Sequence, residues 1–156
     1  MKTYFLSAFA TLSLFITLFS CSTSEEDQNL SVDAQIQQIN VSAKTGTWKI
    51  SSYVDSGNDE TNHFTGYSFT FNESGELSAT NGTNTYTGTW SVTKDDSSDD
   101  DSPDDDVDFN IFFASPDNFA DLSDDWDIVS VSSTKIDLID ISGGNGGTDT
   151  LTFIKN

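Results

Sequence analysis

Asn84-Thr-Tyr-Thr-Gly-Thr-Trp-Ser-Val-Thr93 is the stretch that decides the fold class. Tyr86, Trp90 and Val92 fall on one face, and Thr85, Thr87, Thr89 and Ser91 fall on the other. A period of two with one apolar side is the pattern of a β-strand lying on a core. No helical register collects those three large side chains on one stripe while keeping the hydroxyls apart.

The same period recurs on both sides of this segment. Trp48, Ile50 and Val54 share a face, as do Tyr67, Phe69 and Phe71, and then Val107, Phe109, Ile111 and Phe113. Eight strands are predicted: 47–54, 64–71, 76–80, 84–93, 107–113, 126–132, 135–141 and 150–155. Asn72-Glu-Ser-Gly75 and Asn81-Gly82 are turn chemistry for tight hairpins, and Gly143-Gly-Asn-Gly-Gly147 links the last two strands. Residues 115–123 read as a short helical turn or compact loop plugging one end. Many short strands joined this way predict an all-β antiparallel, up-and-down eight-stranded barrel, because closure removes exposed edges; a sandwich is the alternative. Ahead of them, Val32, Ile36 and Ile39 are spaced at four and three, so a short helix capped by Ser31 is expected over 31–41.

Upstream of Cys21 the composition changes. Lys2 gives a positive start, Tyr4 to Phe19 is an apolar run softened by Ser and Thr, and no acidic residue precedes Glu25. This is the pattern of a signal peptide, and the run is too short and too rich in hydroxyls for a spanning helix. The organisation expected is a leader over 1–20, a tether and short helix over 21–44, and a β domain over 45–156 with an acidic loop at 95–106. At 156 residues, with 12 Phe, 4 Tyr and 3 Trp, the chain has enough apolar material for one core. Its single Cys excludes an internal disulfide.

The charge balance excludes some partners. There are 26 acidic residues against 6 basic ones, a net charge of −20. Such a surface is repelled by nucleic-acid phosphates and by anionic lipid head groups, so nucleic acid is not an expected partner and membrane contact must come from another source. Nine Asp lie from Asp95 to Asp108. Clustered carboxylates suit Ca²⁺, with Asp99, Asp101, Asp104 and Asp106 the candidate ligands, although the run lacks the Gly and Glu positions of an EF-hand loop. The competing reading is a solvated acidic loop.

Three resemblances add to this. Leu18-Phe19-Ser20-Cys21 resembles the lipobox of bacterial lipoproteins, which implies that diacylglycerol is joined to Cys21 and that the leader is cut before it. Ser22-Thr-Ser-Glu-Glu-Asp27 is similar to the acidic export tag of some Gram-negative surface lipoproteins. Together they imply an outer-membrane, lipid-anchored protein on the cell surface, with the periplasmic face as the alternative. Two acyl chains hold such an anchor stably where one holds marginally. Gly46-Thr47-Trp48, after a helical segment and at the start of a strand, resembles the Gly-x-Trp element of lipocalins. It implies a barrel in which the Trp closes one end. The Arg that lipocalins often stack on that Trp has no counterpart, because the chain contains no Arg.

An eight-stranded barrel either fills its interior or holds one small ligand. If open, its lining includes Trp48, Tyr67, Tyr86 and Trp90, and a small apolar molecule is the expected ligand. Trp126 at a strand start is the candidate platform for a glycan. The rival expectation is a filled barrel acting as a structural or protein-interaction module. Catalysis is not expected: His63 is the single histidine and faces solvent at a strand edge, no Cys or His cluster offers zinc ligands, and no Gly-x-Ser-x-Gly elbow occurs.

Overall fold

The computed structural model describes residues 31–94, 107–141 and 147–156. Cys21, the leader and the acidic run with Asp99, Asp101, Asp104 and Asp106 lie outside the described residues.

Nine strands form one antiparallel sheet: β1 (Trp48–Asp55), β2 (Asn58–Asp59), β3 (Ser68–Phe71), β4 (Glu76–Thr80), β5 (Thr85–Lys94), β6 (Val107–Phe112), β7 (Asp124–Val131), β8 (Lys135–Ile141) and β9 (Thr148–Lys155). Strands β1 and β3 to β9 follow one another around the sheet, and β9 returns to pair with β1 from Trp48↔Lys155 to Val54↔Thr150. The expected eight-stranded up-and-down barrel is therefore closed, with β2 a two-residue spur on the end of β1. Alternation drives the closure. In β6, Val107, Phe109 and Ile111 point inward and are buried, while Asp108, Asn110 and Phe112 point outward.

One seam is thin. Strands β1 and β3 share a single bridge, Trp48↔Phe69. The Asn156 amide clasps that point, donating to Thr47 Oγ1 at 3.1 Å, Ser68 Oγ at 3.1 Å and the Trp48 carbonyl at 3.3 Å. The second strand begins at Ser68 rather than Phe64, because Thr61–Phe64 winds into a 3₁₀ turn and Gly66 takes a left-handed φ of 84°. That bend turns Phe64 into the barrel mouth, where it is buried. Strand β7 begins at Asp124, two residues before the expected Trp126, because Asp124 still pairs with Ile111.

Helix α1 (Val32–Lys44) starts where expected. Ser31 Oγ accepts from the Ala34 N–H at 3.4 Å, and the helix continues past Val41 to Lys44. Val32, Ile36 and Ile39 pack against the core and Ala43 is fully buried. The helix closes the end where β1 begins and β9 stops. The expected plug at 115–123 contains a one-turn helix, α2 (Asp117–Ala120), whose Phe119 closes the opposite end. The two ends are called here the α1 end and the loop end.

Candidate functional site

The three tryptophans belong to the core. Trp48 is 0% exposed, Trp126 1% and Trp90 6%. Each indole N–H is held by a backbone carbonyl: Trp48 by Ala43 at 2.8 Å, Trp90 by Asn72 at 3.0 Å and Trp126 by Leu122 at 3.1 Å. Buried indoles need such partners, and each bond here ties a strand to a neighbouring helix or turn. Trp126 thus offers no face to a sugar. Over the Trp48 ring sits Lys155 Nζ, 4.4 Å from the centroid.

Tyr67 and Tyr86 are half-buried at the loop end, with ring centroids 5.9 Å apart. Both rest on Phe119, at 5.1 and 4.7 Å. The Tyr67 hydroxyl bonded to it, then burial, raises Tyr86 above the usual phenol value. These side chains form the rim of a plug. Below them rings from β3, β6 and β9 meet in mid-barrel, with Phe71 5.4 Å from Phe109 and 5.5 Å from Phe153. Among the described residues no polar or charged side chain is buried. The sequence elements expected to line a cavity are brought together, but they fill the space against one another.

Three hollows open on the described surface. A crevice of 170 Å³ runs between α1 and β7, floored by Ile39, Ile128 and Val131. A groove of 540 Å³ follows the thin β1–β3 seam past Lys49, Gly66 and Asn156. A third, of 510 Å³, crosses the outer wall from β5 over β6 to the start of β7. Its walls include Thr89, Ser91, Asn110, Phe112, Ser123 and Asp124. Phe112 is 56% exposed there. Asn110 donates to Thr93 Oγ1 at 2.9 Å, and Ser123 Oγ is bonded to the Phe113 backbone.

Charge is unevenly spread. Lys44, Lys49, Lys94, Lys135 and Lys155 all lie at the α1 end. The loop end carries Asp55, Asp121, Asp124, Asp140 and Asp149 and, among the described residues, no lysine. Burial pushes the Asp124 carboxyl up to about 6, helped by the hydrogen-bonded Asp125 side chain and the Asp140 charge. Tyr53 is raised well above its ordinary value, first by burial and then by the surrounding carboxylates; its hydroxyl donates to the Asp121 carbonyl at 2.6 Å. His63 is exposed, 3.3 Å from a Glu60 oxygen. Among the described residues no group of three or more His, Cys, Asp or Glu is placed to hold a metal ion.

Sequence reasoning did not single out Phe112 or Asp124. The signal for Phe112 was present: Ile111-Phe112-Phe113 is an unbroken apolar run, and in a strand its middle member must face away from the core. Asp124 depends on burial at the loop end, with Asp125 and Asp140 beside it, which no local pattern displays.

No protein-family model matches the chain, and no curated protein does. Among solved structures, a DUF4847 family protein from Bacteroides vulgatus is similar at 16% identity and a TM-score of 0.43, covering 73% of this chain and 94% of that one.

Proposed function

We propose that this chain is a lipoprotein of the bacterial outer membrane, anchored through Cys21, whose filled lipocalin-like barrel binds partners on its exterior. The observation that carries the reading is the packed interior: Phe69, Phe71, Phe109 and Phe153 are each at most 1% exposed and helix and plug close the two ends. A transport barrel instead keeps room for its cargo. Topology supports the orientation. Cys21 lies a short stretch of chain ahead of α1, which puts the α1 end nearer the anchor and favours the loop end as the outward one. The lipobox and the Ser22–Asp27 tag support anchoring and surface display. No catalytic role, metal or cofactor is part of this reading.

Anchoring is tested by metabolic palmitate labelling and cell fractionation, with Cys21→Ala expected to lose the label and leave the membrane. Surface display is tested by protease treatment of intact cells. Filling is tested with 1-anilinonaphthalene-8-sulfonate and a fluorescent fatty acid added to the purified protein. Neither is expected to bind, and saturable one-to-one binding of either would restore the interior-ligand reading.

A further inference from the structure

The outer groove across β5, β6 and β7 carries an aromatic ring, whereas the other exposed large apolar residues of the described wall, Val129 on β7 and Ile141 on β8, are aliphatic. Outward positions on β5 are Thr85, Thr87, Thr89, Ser91 and Thr93, and those on β6 before Phe112 are Asp108 and Asn110. Phe112 breaks that polar pattern while its neighbour Phe113 is buried. Nothing in the core requires it: a polar residue there satisfies the alternation equally well. The groove's 510 Å³ is within the range of small-ligand sites. It combines one aromatic face with hydroxyl and amide groups, Thr89, Ser91, Asn110 and Ser123, and no lysine lines it.

We infer that this groove binds a neutral glycan, with a sugar ring stacked on Phe112 and its hydroxyls hydrogen-bonded to Asn110, Ser91 and Thr89. The charge of the groove selects among ligands. Asp124 as its one ionisable lining residue and a net charge of −20 oppose phosphorylated or acidic polysaccharides. A neutral sugar bears no such penalty. Its apolar C–H face meets an aromatic ring, and its hydroxyls exchange water for fixed donors and acceptors. The groove also sits in the half of the wall towards the loop end, which the place of the anchor favours as the outward one. The inference rests on the reading that the barrel works from its exterior and names the ligand class of that surface.

The test uses full-length protein in detergent, titrated calorimetrically with maltohexaose, cellohexaose, mannohexaose and xylohexaose, and with hexalysine as the cationic control. At least one neutral hexasaccharide is expected to bind with roughly millimolar affinity, the range of a single shallow site. Phe112→Ala is expected to weaken it about tenfold, equivalent to about 1.4 kcal/mol, and Asn110→Ala several-fold, with the melting temperature unchanged. Absence of binding by all four sugars, binding that survives Phe112→Ala, or capture of hexalysine alone overturns the inference. Those results leave the filled-barrel reading standing, since that reading fails only if an apolar probe enters the interior.

Discussion

The two ends of this barrel are closed by different means, and the contrast shows where its stability and its electrostatics reside. At the α1 end a helix of 13 residues spreads its contacts over Val32, Ile36, Ile39 and Ala43, so no one side chain carries the closure. At the loop end a one-turn helix delivers a single ring. Phe119 lies 4.7 to 6.0 Å from the rings of Phe64, Tyr67, Phe69, Tyr86 and Phe113. The α1 end also collects the lysines, pairing Lys44 with Glu73 at 3.8 Å and Lys135 with Asp137 at 2.9 Å. The loop end sets carboxylates beside one another. Among the described residues, one end is distributed and pairs lysines with carboxylates, and the other is concentrated and self-repelling.

The largest effect that follows is from the plug. Phe119→Ala is expected to cost about 3–5 kcal/mol, because it empties a site that five rings share and cannot readily collapse. Chemical denaturation measures this directly, and a loss below about 1 kcal/mol would show that the plug is not the keystone described here. The matching change at the helix, Ile39→Ala, is expected to cost only about 1–2 kcal/mol, since Ile39 is half-buried and its neighbours retain their own contacts. Equal losses at the two positions would erase the contrast between a concentrated and a distributed closure.

Acidity is expected to separate the ends in the opposite sense. Asp124 is pushed up to about 6 when folded, so the folded state holds this proton more tightly than the unfolded chain, whose value is 3.8. Stability from this group therefore rises as pH falls from 7 through 6 and is fully gained below about 4. The groups facing it are Asp125 on β7, Asp140 on β8 and Tyr53 on β1. Asp124→Asn is expected to stabilise the protein at pH 7.5 by about 1 kcal/mol, after allowance for partial exposure, and to flatten this rise. Asp137 behaves the other way. Burial raises it, but hydrogen bonds from Lys135, Ser130 and Thr152 outweigh that and hold it below the usual value. Its contribution is present above the unfolded value near 3.8 and is lost as pH falls through its lower folded value. Thermal melts from pH 8 to 3 should thus pass through a maximum, and a monotonic fall from pH 7 downward would contradict the Asp124 assignment.

Much of the architecture was legible in the sequence because its signals are local. Alternation in 84–93 and 107–113, turn chemistry at Asn72–Gly75, and the spacing of Val32, Ile36 and Ile39 each report a period the backbone imposes. The differences arise where tertiary contacts override local preference. Phe64 reads as a strand residue, yet the empty mouth of the barrel draws it into a 3₁₀ turn as part of the plug. Asp124 and Asp125 read as loop, yet pairing with Ile111 and Asn110 extends β7 through them. The tryptophans illustrate a further limit. Pattern placed Trp48 and Trp90 inward, but whether inward residues surround a cavity or fill it depends on how rings from distant strands meet, which periodicity does not encode.

The smallest expected change bears on function most directly. Phe112 and Phe113 are adjacent in sequence, one 56% and the other 1% exposed, on opposite faces of the same wall. Phe113→Ser would remove a core ring that packs on Phe119 at 5.3 Å and is expected to unfold much of the population. Phe112→Ser removes no buried area of that kind, so its stability is expected to stay within about 0.5 kcal/mol of the parent chain. A silent removal would show that the fold does not need this exposed ring and leave it free for contact with something else. If Phe112→Ser instead costs 2 kcal/mol or more, of the order of a lost core side chain, the ring is serving the wall itself and the outer groove loses its claim as a binding surface.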